Sequence, residues 1–483
     1  MIVQTMYGKI EGIEENGIQS FKNIPYAAPP VGERRFRPPV KPASWEGIRD
    51  CTSWGSMCPQ VPDENEVWQT TMSEDCLYLN VYTPAADNRK RPIYFYIHGG
   101  AFQTGAHNAW FKPDSFIQDD IICVTCNYRL GALGFFPLDE YLGEDYVQSG
   151  NSGLLDVLMA LRWVQENIAR FGGDPGNVTI MGQSAGSKMV ATLLVMSKAR
   201  GLFQKAVMES GSTQCIRDLD TAHRVVDKFM EAMGLTKETA RELLTLPWER
   251  LIEKQGMIIA GLNNLHSCGP VFDGVNFDGD DALAIIESGK ANYVDILGGF
   301  NRDEFNYYYD FCDMKKMDDT TLVNLFGKYA HYAKRTLERL VPEGDDRKMI
   351  DVVSKYLYGN ATIQLFDAYA KAGRGNRLYL YRLDWDKMPM RAHHGIDSAF
   401  VMGDDNEWPG VETYEGFEEL SATMLGAWKT FIKDACPQAP GMPEWPVYTA
   451  DDKRLMRFDT TVEVIDAPKV DLDPDIPHQI FAL

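Results

Sequence analysis

Val178-Thr179-Ile180-Met181-Gly182-Gln183-Ser184-Ala185-Gly186 decides the fold. Its first four residues are a short apolar run with the composition of a buried strand. The stretch from Met189 to Met196, beyond the second glycine, repeats its apolar residues at a helical period. A serine between a strand and a helix, with glycine two places before and two places after, has the setting of a nucleophile elbow. Such a turn strains the serine backbone, and side chains at the flanking positions would collide with the crossing strand and helix. Every other serine in the chain lacks glycine at both positions, so Ser184 is the one candidate.

A serine hydroxyl is a weak nucleophile until a base takes its proton, and that base needs a carboxylate to orient it. On the fold that carries this elbow the chain order is serine, acid, histidine. His223, His266, His331, His393, His394 and His478 follow Ser184. His223 and His331 sit in charged, helix-like stretches, His266 in a polar loop and His478 in a Pro/Asp-rich tail. His393 and His394 follow the strand-like run Leu378-Tyr379-Leu380-Tyr381-Arg382-Leu383 and precede Gly395 in a loop, where a base is expected. The acid belongs at another strand end. Val294-Asp295-Ile296-Leu297-Gly298-Gly299 empties into a segment holding Asp303 and Glu304, and spacing alone does not choose between them.

Acyl transfer also needs donors aimed at the developing oxyanion. The strand-like Pro92-Ile93-Tyr94-Phe95-Tyr96-Ile97 runs into His98-Gly99-Gly100-Ala101-Phe102, a Gly-Gly turn that leaves backbone N–H groups open to a substrate. The second donor of such a motif is the N–H after the nucleophile, here Ala185.

At this point the chain resembles the type-B carboxylesterases, which include the cholinesterases and the bacterial para-nitrobenzyl esterases. The resemblance covers nearly the whole length. It appears in Phe21-Lys22-Asn23-Ile24-Pro25-Tyr26-Ala27-Ala28-Pro29-Pro30, in Ser73-Glu74-Asp75-Cys76-Leu77-Tyr78-Leu79-Asn80, in Asn127-Tyr128-Arg129-Leu130-Gly131, and most densely from Asn151 through Phe171-Gly172-Gly173-Asp174-Pro175 to the elbow. It implies an α/β-hydrolase fold, with a large mixed sheet flanked by helices and carrying helical insertions. The family's acid, the glutamate of a Gly-x-Asn-x-Asp-Glu signature, falls on Glu304. Its base, the histidine directly before a glycine, falls on His394. Its oxyanion donors fall on Gly100, Ala101 and Ala185, and Ser210 matches a serine that supports the triad in relatives.

Three positions depart from the family. Gln183 precedes the nucleophile where the cholinesterases have glutamate, and a neutral amide stabilises a cationic substrate less. Ser187 and Phe305 stand where many relatives have glycine, and Phe305 directly follows the proposed acid. Trp68 lies in the loop whose tryptophan faces a quaternary ammonium in cholinesterases. Here the loop looks shorter, so Trp68, with Phe102, is expected to wall a pocket for neutral alcohols.

The 48 basic and 69 acidic residues give a net charge of −21, which argues against nucleic acid or an anionic membrane as partner. No apolar stretch approaches the ~20 residues of a membrane span. The first strand of the family pattern, Thr5-Met6-Tyr7-Gly8-Lys9-Ile10, starts almost at once and leaves no room for a signal peptide, so a bacterial, cytoplasmic enzyme is expected. No linker, repeat or low-complexity break divides the chain, and 1–483 reads as one domain. Strands are expected near 93–98, 121–127, 178–183, 203–208, 294–298 and 377–383, helices over 154–169, 222–233 and 418–434, and a helical insertion from about 305 to 372. Cys123 and Cys126 form one CxxC on a buried-strand pattern with no second pair, so core thiols are expected rather than zinc. Cys58 and Cys76 match a disulfide of secreted relatives, and in a cytosol they are expected to stay reduced.

The expected function is a serine carboxylic-ester hydrolase that forms an acyl-enzyme on small to medium neutral aryl or alkyl esters. Water is its second substrate, and no metal or organic cofactor is implied. It is expected to be a monomer or small homo-oligomer. The rival reading is a non-catalytic recognition protein on the same fold. A lipid-interface lipase fits less well, because no apolar amphipathic lid is evident.

Overall fold

The computed structural model describes residues 1–62, 70–108, 111–262, 267–312, 314, 317–319, 321–322, 330–403 and 408–470. Eleven strands join in one sheet. In chain order they are β1 (Ile13–Glu15), β2 (Ile18–Pro25), β3 (Tyr78–Thr83), β4 (Arg91–Ile97), β5 (Ile122–Cys126), β6 (Gly173–Gln183), β7 (Lys205–Glu209), β8 (Asp295–Asn301), β9 (Leu378–Leu383), β10 (Arg454–Phe458) and β11 (Glu463–Asp466). Their spatial order is β11-β10-β9-β8-β7-β6-β4-β5-β3-β2-β1. From β5 across to β10 the neighbours are parallel. Both margins of the sheet are antiparallel. A separate three-stranded sheet is built from Ile2–Gln4, Lys9–Glu11 and Ile48–Asp50.

A parallel strand covered on both faces must be apolar at successive positions, and these strands are. On β4, Ile93, Phe95 and Ile97 enter one core cluster while Tyr94 and Tyr96 enter the other. The same alternation continues with Ile180 against Met181 on β6 and Leu380 against Tyr381 on β9. The helices that cover the sheet and frame the site are α1 (Ser152–Asn167), α2 (Ala185–Leu194), α3 (Leu219–Met233), α4 (Asn360–Ala372), α5 (Ile396–Met402) and α6 (Phe417–Asp434).

Register aligns the strand ends. Ile97 pairs with Gly182, Glu209 with both Gln183 and Gly299, and Gly299 with Tyr381. The carboxyl ends of β4, β6, β7 and β8 therefore open along one edge, the place where parallel α/β sheets assemble ligand sites.

The six expected strands are all present, but β1, β2, β3, β10 and β11 were not anticipated. β10 and β11 are short and charged at several positions, so their sequences carry no apolar run. Within the 305–372 block the described helices are Tyr307–Phe311, Ala330–Leu340, Asp346–Ser354, Lys355–Gly359 and α4. Cys58 and Cys76 form a disulfide with Cα atoms 5.1 Å apart, which corrects the expectation that they stay reduced. The isolated bridge between Met57 and Met72 draws the two segments together, a long-range pairing that the sequence did not display. Among the described residues no helix is long and apolar enough to cross a membrane.

Candidate active site

Ser184 sits between β6 and α2 with φ 55° and ψ −120°, a left-handed conformation that costs a non-glycine residue of order 1–3 kcal/mol. The turn is held by its neighbours. Ser184 N–H donates to the Glu209 carbonyl at 2.9 Å, and Lys188 N–H donates to the Ser184 carbonyl at 2.9 Å. A Cβ at Gly182 would collide with the Gly186 backbone, and one at Gly186 with the Ile97 carbonyl. Both elbow glycines are thus required by close approach.

The imidazole of His394 lies 2.7 Å from the Ser184 hydroxyl through Nε2 and 2.6 Å from Glu304 Oε2 through Nδ1. With Nδ1–H donating to the carboxylate, Nε2 is left as an acceptor for the serine proton. Glu304 is fully buried, and its other oxygen accepts the Asn301 N–H at 2.9 Å. Three groups, 210 and 90 residues apart in sequence, thereby form one continuous hydrogen-bonded line.

The loop after β4 approaches the same serine. Gly100, Ala101 and Phe102 all have positive φ, at 99°, 53° and 61°. The Gly100 carbonyl accepts from the N–H groups of Gln103 and Thr104, so the turn is closed by its own backbone. Among the described residues the N–H groups of Gly100, Ala101 and Ala185 have no hydrogen-bond acceptor. Free, preorganised donors beside a nucleophile are suited to a developing oxyanion.

A serine, an imidazole and a carboxylate in this order, on this sheet edge, are the parts of an acyl-transfer site. A model described as the carboxylesterase family matches residues 1–472. The chain belongs to that family. It is 35% identical to the para-nitrobenzyl esterase of Bacillus subtilis (strain 168), over 97% of this chain and 96% of the relative. It is 29% identical to a phenmedipham hydrolase of Pseudarthrobacter oxydans, over 94% of each chain. A solved carboxylesterase structure from Geobacillus stearothermophilus has a TM-score of 0.86 at 34% identity, covering 97% of this chain and 98% of that one. This carboxylesterase is a serine ester hydrolase of the α/β-hydrolase fold.

The two ambiguous pairs separate by environment. His393 is fully buried, turns Nδ1 to the His394 carbonyl at 2.8 Å and packs its ring 4.3 Å from Trp408. Burial pulls its pKa down to about 4. Asp303 is held by Arg302 at 2.8 Å and by Arg347, and makes no contact with the imidazole. His223 pairs with Asp139 on α3, and His331 packs on Tyr332 in the insertion. His266 and His478 lie outside the described residues, as does Trp68.

The departures from the family leave the line intact. Phe305 is fully buried against Tyr308, and its N–H donates to Ser354 Oγ at 2.9 Å. Ser187 Oγ donates to the Gly211 carbonyl at 2.7 Å. Gln183 is buried, and its Nε2 has no partner among the described residues. Phe102 is buried against Phe135, with ring centroids 5.0 Å apart, so most of its surface serves packing.

Sequence reasoning missed Asp397, three residues past His394. Its Oδ2 accepts from Ser210 Oγ at 3.1 Å and from the Tyr381 hydroxyl at 2.8 Å. Burial, then the nearby Glu304 charge, pushes the Asp397 carboxyl up. It missed Tyr358 too, whose ring lies 4.7 Å from that of His394 and whose hydroxyl bonds that of Tyr308. Nothing in the local pattern of either residue distinguishes it from core.

Proposed function

We propose that Ser184 attacks the ester carbonyl while His394 accepts its proton, and that Glu304 holds the imidazole and stabilises its charged form. The observation that carries this reading is the unbroken line from Ser184 Oγ to His394 Nε2, and from His394 Nδ1 to Glu304, at 2.7 and 2.6 Å. The N–H groups of Gly100, Ala101 and Ala185 receive the oxyanion. His394 then returns the proton to the departing alcohol, and water opens the acyl-enzyme by the same route. No step calls for a cofactor. Ser210 acts at one remove, through Asp397 behind the imidazole.

The leaving alcohol is neutral in this reading. Gln183 supplies an amide beside the nucleophile where a carboxylate would favour a cation. All of 1–483 is read as one domain, a reading supported by the continuous sheet. The working picture is a bacterial, cytoplasmic enzyme, monomeric or a small homo-oligomer. An intact set of reacting groups weighs against a non-catalytic recognition role.

The test is a panel of para-nitrophenyl esters of increasing acyl length beside choline and aryl esters of matched acyl group. Turnover of neutral esters with choline esters poor supports the reading. A clear preference for choline esters contradicts the neutral alcohol site, and no turnover of any ester contradicts the catalytic one.

A further inference from the structure

Two basic side chains lie buried beside the site, and neither makes an ion pair among the described residues. Burial draws the pKa of each down, opposed by the Glu304 charge for Lys188 and by the Asp218 charge for Arg217. Lys188, on α2 one turn past the nucleophile, is 5% exposed, and Arg217, between β7 and α3, is 2% exposed. Lys188 has no side-chain hydrogen bond or ion pair among the described residues. Its Nζ lies 5.4 Å from the ring of Tyr358, which itself packs on His394. Arg217 donates Nη1 to the Ser267 carbonyl at 2.6 Å, while its Nε and Nη2 are buried without a partner among the described residues. Cys215 Sγ donates to the Lys188 carbonyl at 3.8 Å, and Arg217 follows Cys215 by two residues, so the turn that carries Arg217 lies against Lys188.

Burying an unpaired charge costs several kcal/mol, and a fold without use for it pairs or replaces it. The chain has 69 acidic residues against 48 basic ones, yet no described carboxylate lies within ion-pair distance of either cation. These are two separate side chains from two separate elements, both left with donors unsatisfied at one place.

That place is defined by what surrounds it. The Lys188 stem runs beside the elbow, because a Cβ on Gly211 would lie 2.6 Å from the Ser184 carbonyl oxygen and 2.9 Å from Lys188 Cγ. Arg217 is tied to the loop after β4, since Ser267 Oγ accepts from Gln103 Nε2 at 3.3 Å. A Cβ on Gly269 would touch the Phe102 ring at 3.5 Å. Around a tetrahedral carbon on Ser184, one direction is the Oγ bond, one the oxyanion toward Gly100 and Ala185, and one the leaving oxygen at His394. The acyl chain takes the fourth.

We propose that Lys188 and Arg217 form an anion subsite for the acyl half of the substrate, so that the enzyme prefers esters whose acyl chain ends in a carboxylate, the half-esters of dicarboxylic acids. This inference rests on the ester-hydrolase reading and narrows it. The neutral-ester expectation came from the alcohol side, and the alcohol stays neutral. Gln183, an amide at the elbow, adds no charge to repel such an acyl group.

The test compares monoethyl glutarate with ethyl pentanoate by pH-stat, and with the butanoyl ester of glycolic acid, which puts the carboxylate on the alcohol. The expected kcat/KM for the half-ester exceeds that for the neutral ester by about 10- to 100-fold, the range for a charged group meeting buried donors. Lys188→Met and Arg217→Leu should each collapse that ratio, whereas a merely structural lesion lowers both esters together. Melting curves report whether each variant folds. If Arg217→Leu does not, Lys188→Met and competitive inhibition of the wild type by free glutarate carry the decision. Equal rates on the half-ester and the neutral ester, or a preference for the alcohol-borne carboxylate, would overturn the subsite while leaving the esterase standing. Failure to hydrolyse any of the three would overturn the esterase reading itself.

Discussion

Glu304 binds the imidazole of His394 through one carboxylate oxygen at 2.6 Å and anchors the other on the Asn301 N–H at 2.9 Å. The adjacent carboxylate, Asp303, is equally buried but faces Arg302 and Arg347. One holds the imidazole, and the other is held by Arg347 of the insertion.

Exchange of the two acids separates those roles. Glu304→Gln should lower kcat on a para-nitrophenyl ester by about 10³- to 10⁴-fold, because the amide presents the wrong tautomer to the imidazole. Asp303→Asn should lower the melting temperature and leave most of kcat. A larger kcat loss in Asp303→Asn would reverse the assignment.

The histidine pair divides the same way. His394→Ala removes the only imidazole within reach of Ser184 Oγ among the described residues. It should cost kcat about 10³-fold or more. His393→Ala deletes a buried ring packed on Trp408, so its main effect should be on thermal stability. Steady-state kinetics and melting curves on both purified variants decide, and a more severe kcat defect in His393→Ala would move the role by one residue.

Acid should destabilise this fold earlier than its carboxylates alone would. Burial holds His98, His107 and His393 at pKa values of about 4, against 6.5 for an unperturbed imidazole. Between pH 6.5 and about 4 the unfolded chain binds protons at these positions that the folded chain refuses, so stability falls as pH falls. The loss approaches roughly 3 kcal/mol per histidine once the folded pKa is reached, and it is absent above the unfolded pKa. Urea midpoints measured from pH 7.5 to 4.5 should hold down to about pH 6.5 and decline below it. A flat profile over that range would mean the three imidazoles are not held neutral.

The sequence displayed the elbow because its demands are local: a strand, two glycines that close contacts require, and a helix within nine residues. The Gly-Gly turn proposed to receive the oxyanion was legible for the same reason. Glu304 and His394 were legible only through the family pattern. The environments that separate them from Asp303 and His393 are built from Arg347 and Trp408, far away in sequence. Lys188 and Arg217 escaped notice because a lone basic residue in a chain ordinarily lies at the surface. Their burial depends on the turn after β7 folding back over α2, and Asp397 likewise acquires meaning only beside Ser210 and Tyr381. The strands β10 and β11 were invisible because they are short and interrupted by Arg454, Arg457, Glu463 and Asp466, so neither carries a continuous apolar run.

The central claim, that the Ser184 hydroxyl does the chemistry, is tested most directly by kcat of purified Ser184→Ala on a para-nitrophenyl ester, beside its melting curve. The hydroxyl sits at a turn fixed by backbone hydrogen bonds and by Gly182 and Gly186, so its loss should leave the melting temperature close to that of the wild type. Turnover should fall about 10³-fold or more. A folded variant that keeps near-wild-type turnover would contradict the account.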